Sequence, residues 1–450
     1  MPDDADGVDG VDDVDDVDGV ADALAAKLAQ LRRLVEAAEK RAGRPPVPQP
    51  PPPQQQAESW PIESAVHGTV LDTARGSCFL SDSVLPSSHR HGRWPLALAL
   101  ELRGDELDWL SFPTGAGCAC LDRAVFVDVE TTGLAGGTGT IPFLIGLGFF
   151  EGPAFVIHQY LMRGPHEEAA VLAEVSARAS ERETVVSFNG KAFDLPLLET
   201  RYTLARQRFP FPTGHVDLLF GARRVWRPRL ESCRLANLEY RVLGVSRHDD
   251  IPGSLVPQVY QDYLRTGDGR YLAPVFEHNL LDVLSLVTLA GRLGQLRRRP
   301  LSALEDDPAD LVALGRSLER AARAAGCADR PEAQNESMQC YREALAAGLA
   351  ADDAARALLA LSLLHKRRGE RDEALRCWEQ LARGPGRAGP ACARPALIEL
   401  AKHHEHVTRD YALALGYSEA AARLPGGPAE KDALSHRIRR LSSRLRGPAA

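Results

Sequence analysis

The sequence predicts an α/β domain that is followed by an all-α domain of helical repeats. Three apolar runs of strand-forming residues follow one another between residues 124 and 162, and amphipathic and apolar segments alternate after them. That alternation is typical of a sheet covered by helices. Residues 301–424 are rich in Ala and Leu, nearly all helical in pattern and weakly repetitive, which indicates stacked helices.

The first 59 residues differ in composition from everything that follows. Residues 1–20 hold nine Asp and no Lys or Arg, so we predict a solvated, disordered acidic tail. Removing these nine negative charges from the net charge of −7 leaves +2 for the remainder. Ala21–Ala42 has the Leu spacing of a helix, and Arg44–Gln56 is a linker rich in Pro and Gln.

Residues 60–122 are predicted to be a small β-rich segment that leads into the α/β domain. Short apolar runs alternate there with turn residues, as in Leu96–Leu102. Cys118 and Cys120 suggest a zinc site only if Cys78 and the histidines at 89 and 91 converge on them. Their spacing is not that of a Cys-x2-Cys pair, which favours ordinary buried thiols and surface histidines.

The α/β domain is predicted to span residues 123–299. Its strands are short apolar runs bounded by turn residues, and its helices have apolar residues at helical spacing. The predicted strands are Val125–Val129, Pro142–Phe150, Phe155–Met162 and Thr184–Phe188, and the predicted helices are His166–Ala179 and Leu195–Gln207.

Two carboxylates interrupt the first of these strands. Asp128 and Glu130 stand at positions i and i+2, which project from the same face of a strand. Adjacent carboxylates in a buried strand repel each other and are costly to ionise. A divalent cation bound by both removes that cost, because hard cations prefer oxygen ligands. The alternative for an isolated pair is a strand end with two solvated acids.

Further along the chain, other segments carry side chains of the same chemistry. Asp194 opens the second helix after a polar turn, where the alternative is a helix cap. His278 and Asp282 are four residues apart, which places them on one helix face. Four acids and a histidine in such positions fit a site for two divalent cations about 3.5–4 Å apart. Asp217, which ends another apolar run, is either a supporting acid or a surface cap.

Four motifs of the α/β region are specific as a set. They are Asp128-Val-Glu-Thr-Thr-Gly-Leu-Ala-Gly-Gly-Thr-Gly-Thr140, Ser187-Phe-Asn-Gly-Lys-Ala-Phe-Asp-Leu-Pro-Leu197, Asp249-Asp-Ile-Pro-Gly253 and Glu277-His-Asn-Leu-Leu-Asp-Val-Leu284. The segments that hold the acids resemble the motifs of the ribonuclease H-like DEDD exonuclease superfamily. From about Ala124 to Leu296 the chain is similar to the YprB-like proteins. That resemblance implies a ribonuclease H-like fold, a mixed sheet with helices on its faces, followed by TPR repeats.

The resemblance also implies a metal-dependent 3′–5′ exonuclease. Two Mg²⁺ or Mn²⁺ ions would be held by Asp128, Glu130, Asp194 and Asp282. His278 takes the position of the residue that orients or deprotonates the attacking water, and a neutral imidazole accepts a proton near pH 7. It precedes Asp282 by four residues, the spacing of members with Tyr at this place, whereas His usually stands five residues before. Glu277 is an alternative base.

A basic segment near these motifs is predicted to bind nucleic acid. Residues 223–234 contain five arginines around one Trp; arginines neutralise phosphates, and an aromatic ring stacks on an unpaired base. The alternative is a solvated basic face. The predicted contacts are Lys191, Arg223, Arg224, Trp226, Arg227 and Arg229. The loop Gly136–Gly139 is a further candidate. Single-stranded 3′ ends fit an exonuclease best, and the choice between DNA and RNA stays open.

The helical region is predicted to be TPR-like between residues 300 and 424, with a basic tail at 425–450. The words Tyr341-Arg-Glu-Ala344, Asp372-Glu-Ala374 and Asp410-Tyr-Ala412 mark positions 30 and 38 residues apart, on either side of the TPR period of about 34. TPR stacks present a groove to a partner segment, so we expect a protein partner. The basic tail is either a nucleic-acid contact or a soluble end.

The rest of the composition limits the possible functions. We find no long apolar run and an acidic amino terminus, which predicts a cytoplasmic protein without membrane contact. Eight scattered Cys indicate reduced thiols. Two other functions stay open: a nucleic-acid-binding adaptor with an inactive nuclease fold, and an interaction scaffold led by the helical repeats.

Overall fold

The computed structural model describes residues 60–111, 118–133, 139–247, 250–298, 307–383 and 389–446. The predicted acidic tail, amino-terminal helix and linker lie outside these residues, as do residues 136–138 of the glycine loop and the predicted domain boundary at 299/300. Residues from Trp60 onward form one unit.

A seven-stranded mixed sheet forms the centre of the α/β domain. The strands are β1 (Thr69–Thr73), β2 (Gly76–Pro86), β3 (Arg90–His91), β4 (Trp94–Pro95), β5 (Ala124–Thr131), β6 (Pro142–Glu151), β7 (Ala154–Leu161), β8 (Thr184–Ser187) and β9 (Gly214–Asp217). The order in space is β1-β2-β7-β6-β5-β8-β9, and β3 and β4 form a separate hairpin. Pairs from β1 to β5 are antiparallel, whereas β5, β8 and β9 run parallel. The predicted mixed sheet is confirmed.

The segment before β5 belongs to the same sheet. β2 pairs with β7 along eight residues, so β1 and β2 extend the central sheet at one edge. The apolar run predicted as strand-like at Leu96–Leu102 is instead a 3₁₀ helix, Leu96–Glu101. Leu96, Ala99 and Leu102 are all fully buried, and this spacing of three matches the three residues per turn of a 3₁₀ helix.

Helices cover both faces of the sheet. They are α1 (Ile62–Ala65), α2 (Gly104–Ser111), α3 (Glu168–Ala179), α4 (Asp194–Leu204), α5 (Leu218–Trp226), α6 (Leu235–Leu238), α7 (Val256–Thr266) and α8 (Ala273–Arg298), with a π-helical turn at Glu239–Leu243. α3 and α7 share a core with Val125 and Val127, whereas α2, α5 and α8 share the opposite core with Phe126.

The long helix α8 runs through the protein interior. With the turn before it, residues 269–298 are long and apolar enough to cross a membrane, but 61% of the apolar window is buried inside the protein. A core helix has that property, and α8 packs on β5, β6 and the 3₁₀ helix.

The carboxy-terminal region is all-helical, as predicted. It consists of α9 (Pro308–Ala324), α10 (Pro331–Ala347), α11 (Ala351–Arg367), α12 (Arg371–Arg383), α13 (Pro390–His403), α14 (Tyr411–Ala422) and α15 (Pro428–Arg446). Helices α10, α12 and α14 begin at residues 331, 371 and 411, which gives a repeat of 40 residues. Tyr341 lies late in α10, whereas Asp372 and Asp410 stand at the start of α12 and α14, so the first predicted repeat mark was out of register. The TPR assignment stays a prediction.

The predicted basic tail is a packed helix over most of its length. Leu434 and Leu441 of α15 are buried, and Arg437 donates to the buried carboxylate of Glu405 at 2.7 Å. Arg440 contacts the other oxygen of the same carboxylate. These two arginines bind the chain's own acid, whereas Lys431, Arg439 and Arg444 are exposed, and the nucleic-acid contact of the tail stays a prediction.

Candidate active site

Strand β5 presents Asp128 and Glu130 on one face, as their spacing predicts. Ala124 and Phe126 of the same strand pack into the core that contains α8, whereas Val125, Val127 and Val129 pack into the opposite core. The alternation of side chains along a strand therefore directs both carboxylates toward α8. Both acids are partly buried.

Two consecutive residues of helix α8, His278 and Asn279, contact this face. His278 Nε2 lies 3.9 Å from Glu130 Oε1 and 3.7 Å from Asp282 Oδ2. Asn279 is fully buried, and its Nδ2 donates to Asp128 Oδ2 at 2.8 Å. Because Gln159 Nε2 donates to Asn279 Oδ1 at 2.9 Å, the amide is oriented with its donor toward the carboxylate. Glu277, the alternative base, is exposed on the same helix.

Asp194 reaches the site from a tight turn after β8. The carboxylate of Asp217 accepts the backbone N–H groups of Asn189 at 2.7 Å and Lys191 at 3.1 Å. Gly190 lies between them, where a Cβ would overlap the Ser187 side chain and approach Asp194 Oδ2. Asp217 is buried and also caps α5. Asp217 therefore supports the turn that presents Asp194. It is both a supporting acid and a helix cap, but the cap is buried and not on the surface.

Burial and mutual repulsion raise the pKa of three of the acids. Burial raises the pKa of Asp128, and the charges of Asp282, Glu130 and Asp194 raise it further. Burial raises the pKa of Glu130 to about 7 against the opposing effect of His278. Burial, Asp217 and Asp282 raise the pKa of Asp194 to about 7. Carboxylates in this state gain from a bound cation, so the residues present fit divalent metal.

One set of donor atoms, close enough together to share a metal ion, includes the histidine. One ligand atom each of Glu130, His278 and Asp282 lies within 4.8 Å of the other two. An imidazole nitrogen and carboxylate oxygens are common ligands of transition-metal ions such as Mn²⁺. The structure thus gives His278 a place among the possible ligands as well as beside the acids.

Two polar residues behind His278 escaped the sequence interpretation. His278 Nδ1 lies 2.8 Å from Asp250 Oδ1, which turns Nε2 toward the acids. The guanidinium of Arg247 donates to Asp250 Oδ2 at 3.1 Å and also contacts Asp282. Burial lowers the pKa of His278, but Asp282, Asp250 and Glu130 outweigh burial and raise it. The only sequence signal was the motif Asp249–Gly253, which contains Asp250 but to which the sequence analysis gave no role.

Two clefts meet at the acids. One has a volume of about 570 Å³ and is lined by Glu130, Asp194 and mostly small or apolar side chains, with the exposed ring of Phe193 among them. The other has a volume of about 740 Å³ and is lined by Asp128, Asp282, the exposed Glu231 and three exposed arginines. Those arginines are Arg223, Arg227 and Arg234.

The structure divides the predicted nucleic-acid contacts. Arg223 and Arg227 line the basic cleft, and Lys191 lies near the Phe220 ring with its backbone N–H on Asp217. The prediction that Trp226 stacks on a base was wrong. Its indole is 1% exposed, and its Nε1 donates to Asp310 Oδ2 at 3.1 Å.

Two of the predicted arginines are paired within the protein. Arg229 donates two hydrogen bonds of 2.9 Å to the carboxylate of Asp310, which joins the α/β domain to α9. Arg224 contacts the Trp109 carbonyl and lies near its ring. These two side chains hold helices together, and neither of them lines the cleft that contains Arg223 and Arg227.

The alternative zinc site is not assembled. His91 Nε2 lies 2.7 Å from the Ser285 hydroxyl, and Cys78 is buried in the core on the opposite side of the sheet. Among the residues that the structure describes, no group that includes a thiol has metal-ligand spacing.

Comparison with known proteins identifies the family. A family model described as RNase_H superfamily matches residues 125–294, a span that contains all five predicted catalytic residues. A Bacillus subtilis (strain 168) protein named "Uncharacterized protein YprB" is 31% identical over 375 residues, which cover 81% of this chain and 85% of that protein. The superfamily indicates nuclease-type activity, nucleic-acid binding and use of divalent metals. The chain therefore belongs to the YprB-like family, and its α/β domain is a member of the ribonuclease H superfamily.

Proposed function

We propose that this protein is a metal-dependent nuclease that removes nucleotides from the 3′ end of single-stranded nucleic acid. The observation that carries the proposal is the position of the acids between two clefts of opposite character. Glu130 and Asp194 line the apolar cleft, whereas Asp128 and Asp282 line the basic one. A strand held in the basic cleft therefore passes the acids before its last nucleoside enters the apolar cleft. The 3′ polarity rests on the resemblance to DEDD exonucleases.

The cofactors of this proposal are two divalent cations, Mg²⁺ or Mn²⁺. Asp128, Glu130, Asp194 and Asp282 would hold them, because these carboxylates lie together, and burial and neighbouring negative charges raise the pKa of Asp128, Glu130 and Asp194. When bound, such cations activate water and stabilise the attacking and leaving oxygens of a phosphodiester.

His278 is the residue that takes the proton of the attacking water in this proposal. Asp250 contacts its Nδ1, and a proton on Nδ1 leaves the lone pair of Nε2 free on the side of Glu130 and Asp282. The carboxylate also stabilises the imidazolium that forms when Nε2 accepts a proton. If His278 is instead a metal ligand, the same contact orients it for that role.

Substrate binding divides between the two clefts. Arg223, Arg227 and Arg234 would neutralise the phosphates of the incoming strand. A cleft of about 570 Å³ is in the usual size range of small-molecule pockets, about 300–1,000 Å³, and accommodates one nucleoside. The exposed Phe193 ring at this cleft offers a surface on which a base stacks.

The test is cleavage of 3′- and 5′-labelled single-stranded DNA and RNA oligonucleotides with Mn²⁺, Mg²⁺ or EDTA. We expect metal-dependent shortening from the 3′ end that Asp128→Ala abolishes. Asp82→Ala, which removes an exposed carboxylate from β2 far along the sheet, is the matched control and should cleave normally. Internal cuts would keep the metal site and overturn the exonuclease.

The same assay distinguishes the other two functions. Binding of both polymers without cleavage under any metal would favour an adaptor with an inactive fold. The helical repeats are proposed as the surface for a protein partner. If the protein is chiefly a scaffold, disruption of that surface removes its cellular function while cleavage in the oligonucleotide assay persists.

A further inference from the structure

A chain of buried polar contacts leads away from the acids. The guanidinium of Arg247, whose side chain is 10% exposed, contacts Asp282 and Glu239 and donates to Asp250 at 3.1 Å. It therefore touches one of the four acids and also the carboxylate that orients His278. Its own position is fixed from the far side by Glu239, which is 1% exposed.

At the end far from the acids, this series of polar contacts reaches a histidine of the β3–β4 hairpin. The Ser285 hydroxyl donates to Glu239 Oε1, and His91 Nε2 lies 2.7 Å from the same hydroxyl. Because the hydroxyl has a single hydrogen and gives it to Glu239, it accepts from His91, so Nε2 carries the proton. Burial lowers the pKa of His91 to about 4, which keeps the ring neutral in this role.

The hairpin also holds the backbone that carries Glu239. Glu239 begins the π-helical turn Glu239–Leu243, and such turns leave carbonyl groups without their α-helical partners. Arg93 N donates to Leu243 O at 2.8 Å, and Trp94 Nε1 donates to Val242 O at 3.3 Å. Gly92 has φ +63°, and a Cβ there would overlap the Leu243 carbonyl. The hairpin thus contacts both the series of hydrogen-bonded side chains and the backbone that carries Glu239.

Stability alone does not account for this arrangement. Replacing buried charge pairs by well-packed apolar groups is often neutral or stabilising, yet Glu239 and Arg247 are both almost fully buried. These buried contacts lead through Arg247 to Asp282 and Asp250. Rigid placement of catalytic groups needs such supporting hydrogen bonds.

We propose that the hairpin Arg90–Pro95 is a positioning element of the catalytic centre. Through Ser285, Glu239 and Arg247 it sets the orientation of Asp282 and of the Asp250–His278 pair. This inference rests on the proposed function for its kinetic consequence, but its structural consequence, the geometry of the acids, is measurable without substrate.

The experiment compares two buried hydroxyls of the same local chemistry in the full chain. Ser285→Ala removes the link to His91, and Ser317→Ala removes the hydroxyl that accepts from Trp109 Nε1 at 2.9 Å in α9. We measure the melting temperature, the Mn²⁺ dissociation constant by calorimetry, and kcat and KM on a labelled single-stranded oligonucleotide. Both variants should lose a similar amount of thermal stability.

Only Ser285→Ala should change the site. We expect its Mn²⁺ dissociation constant to rise severalfold and its kcat to fall about tenfold with KM unchanged, the effect of about one lost hydrogen bond. His91→Gln, which keeps a donor near the same place, should leave the Mn²⁺ dissociation constant and kcat close to their native values. His91→Leu, which removes the donor, should resemble Ser285→Ala. Equal behaviour of the two serine variants, or of the two His91 variants, overturns the positioning role.

Failure of this inference is distinguishable from failure of the proposed function. If the native chain binds Mn²⁺ but cleaves no polymer, the nuclease proposal fails and the Mn²⁺ affinities still decide the role of the hairpin. If the native chain binds no Mn²⁺, both proposals are overturned.

Discussion

Two glycines on strand β6 allow the support of Asp128 to be separated from packing. A Cβ at Gly146 would overlap the amide of Asn279, whereas a Cβ at Gly148 would overlap Phe155 and Val283. Gly146→Ala therefore displaces the side chain that donates to Asp128, and Gly148→Ala strains the apolar core. An Asn amide turns aside more easily than an aromatic ring, so Gly148→Ala should cost more stability, within the usual 1–3 kcal/mol or so for overpacking.

The two substitutions should affect activity in the opposite order. Gly146→Ala breaks a hydrogen bond of 2.8 Å from Asn279 to a carboxylate, and such bonds contribute about 1.5–3 kcal/mol. If that support is lost in the transition state, kcat falls by roughly 10- to 150-fold. Gly148→Ala should keep kcat within a fewfold of the native value.

The measurement is kcat at saturating Mn²⁺ on a labelled oligonucleotide, with a thermal melt of each variant. Gly146→Ala with native kcat, or an equal fall of kcat in both variants, would refute the argument that Asn279 positions Asp128.

Three further substitutions test the assignments of the two clefts and of the domain junction. Replacing Arg223 and Arg227 by Ser should weaken single-strand binding and reduce the slope of log K against log salt by about 1.4, if each neutralises one phosphate; fluorescence titration at several salt concentrations measures this, and an unchanged slope would contradict it. Phe193→Ala should raise KM about 5- to 150-fold through lost base stacking, whereas Tyr271→Ala, another exposed ring that lines neither described cleft, should not. Arg229→Ala should lower the free energy of unfolding by about 2 kcal/mol, because it leaves buried Asp310 with Trp226 as its remaining side-chain donor. A denaturant titration measures this loss, and the cleavage rate should stay normal.

The sequence predicted features that depend on the local spacing of side chains, and it missed features that depend on contacts between distant residues. Asp128 and Glu130 share a face because strands repeat every two residues, and this held without knowledge of the fold. The Leu96–Leu102 run was assigned to the wrong element, because its leucines stand at every second residue, which is the spacing of a strand. Its burial against α8 selects the 3₁₀ form.

Trp226 and Asp250 illustrate the same limit at the site. An Arg-rich sequence around a Trp has the composition of a nucleic-acid surface, but Asp310, 84 residues later, covers the indole. Asp250 gains its role only because His278, 28 residues later, returns to it on α8. Neither partner is specified by the local pattern, so composition predicted the charge of the cleft and not which side chains line it.

The raised pKa values of the acids predict how the metal-free protein responds to pH. Glu130 has an ordinary pKa of 4.5 in the unfolded chain and about 7 in the folded one. Between these values the folded state binds more protons, so stability falls as pH rises from about 4.5 to 7 and is level above. For Glu130 alone the shift corresponds to a loss on the order of 3 kcal/mol, and the loss is shared with Asp194 because both repel Asp282.

Denaturant titrations in EDTA at pH 5 and pH 8 measure this loss as the difference between native and Glu130→Gln protein. Subtraction cancels groups that titrate in both, including His91, whose lowered pKa costs stability only as pH falls below its ordinary value. We expect the native chain to lose more stability than Glu130→Gln on going to pH 8, and Mn²⁺ at pH 8 to restore the native chain alone. Asp82→Asn, at an exposed position of β2, should follow the native curve. Parallel curves for native and Glu130→Gln protein would mean that the carboxylates do not repel one another in the folded state, and the physical reason for placing cations among them would be lost.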